Sequence, residues 1–216
     1  MKRYKAVFFD LDGVLGKTME DNFRAWEYAF LQWGVPIERE KYFLMEGKSP
    51  RKVVEHFLPP DRSSPDLIQK IADLKEEYYL KHNSFTLYEG AKSLLKDLGA
   101  KGFLLGLVTG ASRKRFSQSR AKILLDFFDV VITGDDCPEG KPSPAPYRLA
   151  ASTLQVSSAD CLVVENAPLG IDAAKGAGMT CIAITSTLES CHLKKADRIV
   201  SQLSDIRDFL WNHQKQ

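Results

Sequence analysis

Two acids, Asp10 and Asp12, close the apolar run Val7-Phe8-Phe9 and are followed at once by Gly13. An apolar run bounded by glycine predicts a short buried strand. Such a strand delivers both carboxylates to its carboxyl edge, the place where open α/β sheets bind ligands. Two carboxylates held together repel each other and cost desolvation energy unless a proton or a cation relieves them. A hard divalent cation such as Mg²⁺ supplies that relief. The alternative is a turn carrying two solvated acids.

Three further stretches have the same character. In Val108-Thr109-Gly110-Ala111-Ser112 a hydroxyl residue ends an apolar run and small residues open a helix. Free N–H groups beside a hydroxyl make a phosphate cradle, although Thr and Ser are also ordinary helix caps. Gly140-Lys141-Pro142-Ser143-Pro144 holds a lysine on a loop stiffened by prolines. A lysine fixed in that way presents a point charge to a phosphate or organises carboxylates. Val163-Val164-Glu165-Asn166 ends another apolar run in an acid and an amide, both oxygen donors of the kind Mg²⁺ takes. As plain structure, the amide forms a turn and the glutamate is solvated.

The elements that must position these residues alternate. Apolar segments at Phe103 to Val108, Val130 to Thr133, Cys161 to Val164, Thr180 to Thr185 and Arg198 to Ser201 predict strands. Helical patterns lie between them at Ala91 to Leu98, Ser112 to Phe127, Pro146 to Leu154 and Gly170 to Ala177. This alternation predicts an α/β fold, a doubly wound and mostly parallel sheet with helices on both faces. From about Gly16 to Phe85 no strand is expected. Helical periodicity there is broken at Gly34-Val35-Pro36, Gly47-Lys48-Ser49-Pro50 and Pro59-Pro60. About four helices are therefore inserted between the first and second strands.

In their order and spacing the four motifs closely resemble the haloacid dehalogenase superfamily: DLDG, then VTG, then GKPSP, then an acid–amide pair before APLGIDAAKGAG. The helical insertion, with Phe23-Arg24-Ala25-Trp26, is similar to the cap of the β-phosphoglucomutase-like branch. The resemblance implies a Rossmann-like core sheet of strand order 5-4-1-2-3. It places a core domain at residues 1–15 and 87–216 and an all-α cap domain at 16–86. It also implies a Mg²⁺-dependent phosphatase of small phosphorylated metabolites, sugar phosphates among them, working through an aspartyl-phosphate. Asp10 would be the nucleophile and Asp12 the acid and base. Thr109, Gly110, Ala111 and Lys141 would hold the phosphoryl group. Asp10, Asp12 through its carbonyl, Glu165 and Asn166 would bind the metal.

Asp12 points away from the dehalogenase and phosphonatase relatives, which lack an acid at that place. Two positions depart from the pattern. Asn22 stands where the mutase-like sequences carry a histidine, and an amide does not titrate near neutral pH. That weakens a β-phosphoglucomutase-type reading, kept as the alternative beside a catalytically silent phospho-ligand binder. Asn166 stands where the metal corner usually has aspartate, so one negative charge is missing. Asn22, Arg51 and Lys75 match cap positions that contact substrate in this branch; as plain structure the two cations are solvated helical charges.

The balance of the 216 residues is ordinary: 44% hydrophobic, 27% charged and a net charge of +2, so no nucleic-acid surface is indicated. Lys2, Arg3 and Lys5 precede an apolar run too short for a signal peptide or membrane span. Cys137, Cys161, Cys181 and Cys191 lack CxxC spacing, and two of them read as buried thiols. A reducing, cytoplasmic setting follows as the expectation, without a membrane partner. The oligomeric state is left open, and a monomer fits. His56, His82, His192 and His213 show no ligand spacing.

Overall fold

The computed structural model describes residues 4–214 apart from Ser119 and Pro138, with side chains through residue 212. Lys2, Arg3 and the His213 side chain therefore lie outside the described residues. Strand β1 (Ala6–Phe9) is the centre of the sheet, and its four side chains are fully buried. Because successive side chains alternate across a strand, Val7 and Phe9 enter one apolar layer while Ala6 and Phe8 enter the other. A strand buried on both faces has no polar side to show, which explains its unbroken apolar run.

Around it lie β2 (Leu104–Val108), β3 (Val130–Ile132), β4 (Cys161–Glu165), β5 (Thr180–Ile184) and β6 (Arg198–Val200). All five pairings are parallel, in the order β3-β2-β1-β4-β5-β6. Read from the other edge this is the expected 5-4-1-2-3 arrangement with β6 added beyond β5. Helices α5 (Ala91–Ala100) and α9 (Leu203–Gln214) cover one face, through Leu94, Leu98, Ile206 and Leu210. On the other face α7 (Ala145–Thr153) and α8 (Pro168–Gly176) pack with Tyr147, Ala150, Ile171 and Ala174. The helix expected over Ser112 to Phe127 is divided into α6 (Arg113–Gln118) and a 3-10 segment, Arg120–Phe127. Ala121, Leu124 and Phe127 all turn to the core, and their three-residue spacing matches the 3-10 period rather than the α period.

Between β1 and α5 stand four helices, α1 (Met19–Leu31), α2 (Arg39–Phe43), α3 (Pro50–Phe57) and α4 (Pro65–His82). Prolines open α3 and α4 at the first helical position, where the missing N–H costs nothing. Ser64 caps α4 by accepting from the Leu67 N–H at 3.3 Å. These helices have an apolar cluster of their own, built on Trp26, Phe30, Phe43, Val54 and Ile71. Leu188, after β5, is its one buried member from the sheet side. The chain leaves and returns side by side: the Lys17 N–H donates to the Thr86 carbonyl at 2.8 Å and the Tyr88 N–H to the Leu15 carbonyl at 2.9 Å. Cys137, Cys161 and Cys181 are buried and Cys191 is exposed. Among the described residues no helix is long and apolar enough to cross a membrane.

Candidate active site

The Asp10 N–H donates to the Val164 carbonyl at 3.1 Å, so the residue still follows the line of β1 beside β4. Its carboxylate accepts from Lys141 Nζ at 2.6 Å. The same ammonium donates to Glu165 Oε1 at 2.5 Å and to the Val108 carbonyl at 3.3 Å. Lys141 thus bridges the carboxyl ends of β1, β2 and β4, from a loop whose Lys141–Pro142 peptide is cis. Asp10, Lys141 and Glu165 are all buried. Burial disfavours the lysine charge, but the carboxylates of Asp10 and Glu165 outweigh it and hold Lys141 above the ordinary lysine range. Burial pushes Asp10 well above the usual carboxylate range, Lys141 pulls it back, and the charges of Glu165 and Asp12 push it up further.

Glu165, expected as a metal ligand, makes three hydrogen bonds within the protein. Oε1 accepts from Lys141 and, at 2.6 Å, from the Tyr147 hydroxyl; Oε2 accepts from the Asn166 N–H at 3.1 Å. Three of the roughly four acceptor positions of a carboxylate are taken, which makes Glu165 the anchor of Lys141. Gly170 leaves it room: a Cβ there would lie 2.0 Å from the carboxylate. Asn166 Nδ2 donates to Thr187 Oγ1 at 2.9 Å, while its Oδ1 is buried without a hydrogen-bond partner. A buried amide oxygen without a donor is costly, and it suits a cation. Gly13 makes this placement possible, because it has φ +85° and any Cβ would lie 2.1 Å from the Asn166 amide nitrogen. Among the described residues no three His, Cys, Asp or Glu side chains gather as a metal cluster. A metal set would have to mix Asp10 with the neutral oxygens of Asn166 and the backbone.

Thr109, Gly110 and Ala111 follow β2 directly. Thr109 is buried and its hydroxyl accepts from the Ala111 N–H at 3.1 Å, the turn-forming arrangement. Asp12 faces the helical layer. Its Oδ1 accepts from Thr18 Oγ1, from Asn22 Nδ2 at 3.2 Å and from an Arg115 terminal nitrogen at 3.0 Å, which also lies 3.2 Å from Oδ2. Lys75 Nζ, buried to 4% exposure, donates to Asn22 Oδ1 at 3.1 Å and lies over the rings of Trp26 and Tyr79. Burial, followed by the Arg115 charge, lowers Lys75 to about 8. These groups surround a cavity of about 30 Å³ with Glu46, whose carboxylate accepts from the Tyr42 hydroxyl at 2.6 Å. Asn22 and Lys75 are therefore brought to Asp12. Arg51 is not: it is exposed, pairs with Glu55 at 2.7 Å and lines an outer groove of about 880 Å³.

Sequence reading missed Arg115, Glu46, Thr18 and Tyr147. Arg115 stands in the basic run Arg113-Lys114-Arg115, whose two arginines differ only in which face of α6 they occupy. Arg113 turns outward to Asp136 at 2.6 Å, whereas Arg115 stacks over Tyr79, 3.9 Å from its ring centre.

Residues 7–184 match the family model described as haloacid dehalogenase-like hydrolase. The chain is 32% identical over 214 residues to the validoxylamine A 7'-phosphate phosphatase of Streptomyces hygroscopicus subsp. limoneus, covering 97% of this chain and 98% of that protein. It is 30% identical over 210 residues to the beta-phosphoglucomutase of Bacillus subtilis (strain 168), covering 94% and 91%. A mutant of CbbY from Rhodobacter sphaeroides, solved in complex with xylulose-(1,5)bisphosphate, has the same fold. It matches with a TM-score of 0.77 and 28% identity, over 91% of this chain and 93% of that one.

Proposed function

The chain belongs to the haloacid dehalogenase-like hydrolase family, and on that premise we propose that it hydrolyses phosphomonoesters of small metabolites, sugar phosphates among them. The observation that carries this reading is the buried Lys141 ammonium 2.6 Å from Asp10 at the carboxyl edge of the sheet. A carboxylate is a poor nucleophile toward a phosphate dianion unless positive charge screens the approach. Lys141 supplies part of that charge. The orphaned Asn166 Oδ1, the Asp10 carboxylate and the Asp12 carbonyl would hold Mg²⁺, with Glu165 behind them fixing Lys141. When bound, Mg²⁺ adds electrostatic stabilisation of the phosphoryl oxygens.

Asp10 attacks phosphorus, the bond to the ester oxygen breaks, and an aspartyl-phosphate forms. Asp12 gives its proton to the departing alkoxide. It then takes a proton from water, which attacks the phosphoryl group and frees Asp10 and inorganic phosphate. Thr109 and the N–H groups of Gly110 and Ala111 would hold the transferring group once the Thr109–Ala111 bond is exchanged for it. Residues 16–86 would form a cap over a core of residues 1–15 and 87–216.

The Bacillus relative supports a second reading, transfer to a sugar hydroxyl as in a mutase. Asn22 favours water, because this side chain, which donates to Asp12, carries no titratable group. In a panel of phosphorylated metabolites with Mg²⁺, the wild type should release phosphate steadily and Asp10→Asn should not. Equal release by the variant would remove the nucleophile assignment, and no release by the wild type would leave a binding protein. Primer-dependent conversion of β-glucose 1-phosphate to glucose 6-phosphate would replace the phosphatase with the mutase.

A further inference from the structure

The two carboxyl oxygens of Asp12 are held unequally. Oδ1 accepts from Thr18 Oγ1, from Asn22 Nδ2 at 3.2 Å and from Arg115 Nη2 at 3.0 Å. Among the described residues, Oδ2 has Arg115 Nη2 alone, at 3.2 Å. A torsion between an sp³ and an sp² carbon is broad and roughly two-fold, so the aspartate's own rotamer preference does not decide how its carboxyl plane turns. The neighbours decide it. Thr18 and Asn22 each touch one oxygen, about which the plane can still rotate. Arg115 is the neighbour that reaches both oxygens, and its single nitrogen between them fixes the plane. The arginine is itself confined. It is 8% exposed, and its guanidinium carbon lies 3.9 Å from the centre of the Tyr79 ring of α4, which is 2% exposed. Ser112 Oγ, which accepts from the Arg115 backbone N–H at 3.1 Å, steadies the turn of chain that carries it.

We propose that Arg115 is a positioning residue for the acid and base: backed by Tyr79, it turns Asp12 so that Oδ2 is the oxygen that carries the travelling proton. The inference rests on the phosphatase reading and deepens it. As the bond from phosphorus to the ester oxygen breaks, the proton on Oδ2 passes to that oxygen. Later a water O–H bond breaks, its proton passes to Oδ2, and its oxygen bonds to phosphorus as the Asp10 oxygen departs. In both steps Arg115 acts on the ester only through Asp12. The short stretch from Thr109 to Arg115 then has two tasks, since its beginning would hold the phosphoryl group and its end aims the proton.

Glucose 6-phosphate and 4-nitrophenyl phosphate test this, because the first leaving group needs a proton and the second does not. The ratio of their kcat/KM values reports the steps up to departure of the alcohol. General acid catalysis contributes about 10²–10⁴-fold, and a misaimed carboxyl group should lose part of that. Arg115→Met should therefore lower kcat for glucose 6-phosphate by about tenfold to hundredfold with KM nearly unchanged. Its kcat/KM for 4-nitrophenyl phosphate should fall by much less. Arg115→Lys, whose ammonium can again lie between both oxygens, should recover part of the loss. In an Asp12→Asn background, Arg115→Met should cause no further change in the ratio of the two esters, since the two residues act as one unit. Tyr79→Leu keeps both charges and removes the ring behind the guanidinium. It should give a smaller loss of the same leaving-group-dependent kind, and it carries the test if Arg115→Met does not fold. An equal loss with both esters, or a higher KM at unchanged kcat, would overturn the positioning role and leave the phosphatase standing. No turnover of either ester by the wild type would overturn the phosphatase reading, and the positioning role with it.

Discussion

Asp10 and Asp12 are two residues apart in the chain and stand in opposite halves of the site. Asp10 belongs to the sheet half: its partner is Lys141, which is tied in turn to Glu165 and the end of β2. Asp12 belongs to the helical half, held by Thr18, Asn22 and Arg115. The first half is built from strand ends that the hydrogen-bond ladder fixes. The second is built where α1 and α4 meet α6, so its geometry depends on how two layers pack. On the reading proposed above, the first half carries the nucleophile and the second carries the acid and base.

The largest effect expected on the Asp12 side is chemical. Asp12→Asn keeps the hydrogen bonds from Thr18 and Asn22 but removes the proton donor, and leaving-group protonation contributes about 10²–10⁴-fold. Steady-state rates should fall by that range with an alkyl phosphate, and by less with 4-nitrophenyl phosphate, whose leaving group needs no proton. An equal loss with both leaving groups would assign Asp12 to positioning rather than proton transfer.

On the Asp10 side the next effect is on stability. Lys141→Met leaves Asp10 and Glu165 buried without a cation, and breaking a buried ion pair costs about 3–5 kcal/mol. Chemical denaturation near neutral pH should show a loss of that size. It should be partly recovered at low pH, where the carboxyl groups of the variant protonate. A variant as stable as the wild type would mean that solvent or another group already serves the two acids.

These halves also differ in how far the sequence reveals them. β1, β2 and β4 end in recognisable residues because a parallel sheet needs short apolar runs, and the residue after each run sits at the edge by geometry alone. Asp10, Thr109 and Glu165 were accessible in that way and Lys141 through its proline-stiffened loop, whereas the Tyr147 hydroxyl that donates to Glu165 comes from α7, a tertiary neighbour. Arg115 was hidden because Arg113, Lys114 and Arg115 are chemically alike, and only the packing of α4 on α6 decides which one turns inward. Arg51 illustrates the converse. It matches a family position, yet Pro50 starts α3 directly before it, and the side chain pairs along its own helix with Glu55.

A smaller effect should separate the halves by pH. Lys75 is lowered to about 8, first by burial and then by Arg115. The groups facing it are Arg115 from α6, Glu76 on its own helix, Glu46 from the segment after α2, Asp12, and the uncharged Asn22 and Trp26 of α1. Arg115 stays charged throughout the range, and burial pushes Tyr79 up to about 12. As pH rises through about 8 the ammonium loses its proton, so the positive charge that Lys75 adds beside Asp12 is lost and kcat/KM should fall, by up to about tenfold at pH 9. Lys75→Arg, charged at every pH tested, should abolish that bend. A bend that persists in Lys75→Arg would place the titrating group elsewhere in the site.

The smallest effect concerns Asn166, where the sheet half lacks a charge. Adding a carboxylate by Asn166→Asp places a third acid near Asp10 and Glu165 with only Lys141 to balance them, so the metal-free variant should be less stable than the wild type. Toward Mg²⁺ the sign reverses, because the added charge attracts the cation. At about 4 Å the attraction of a divalent cation to one carboxylate is on the order of 2 kcal/mol in water without salt, and less once ions screen it. Thr187 loses the Nδ2 donor but can turn its hydroxyl to donate to the new carboxylate. Thermal unfolding with and without Mg²⁺ should therefore show a lower midpoint for the variant without the metal and a larger rise on adding it. Calorimetric titration should give a correspondingly lower Mg²⁺ dissociation constant. A metal-dependent shift equal to that of the wild type would show that the buried Asn166 oxygen faces no cation. Gly13 would then be spacing the amide for packing alone, leaving Asp10 as the only side chain of this half with a part in metal binding.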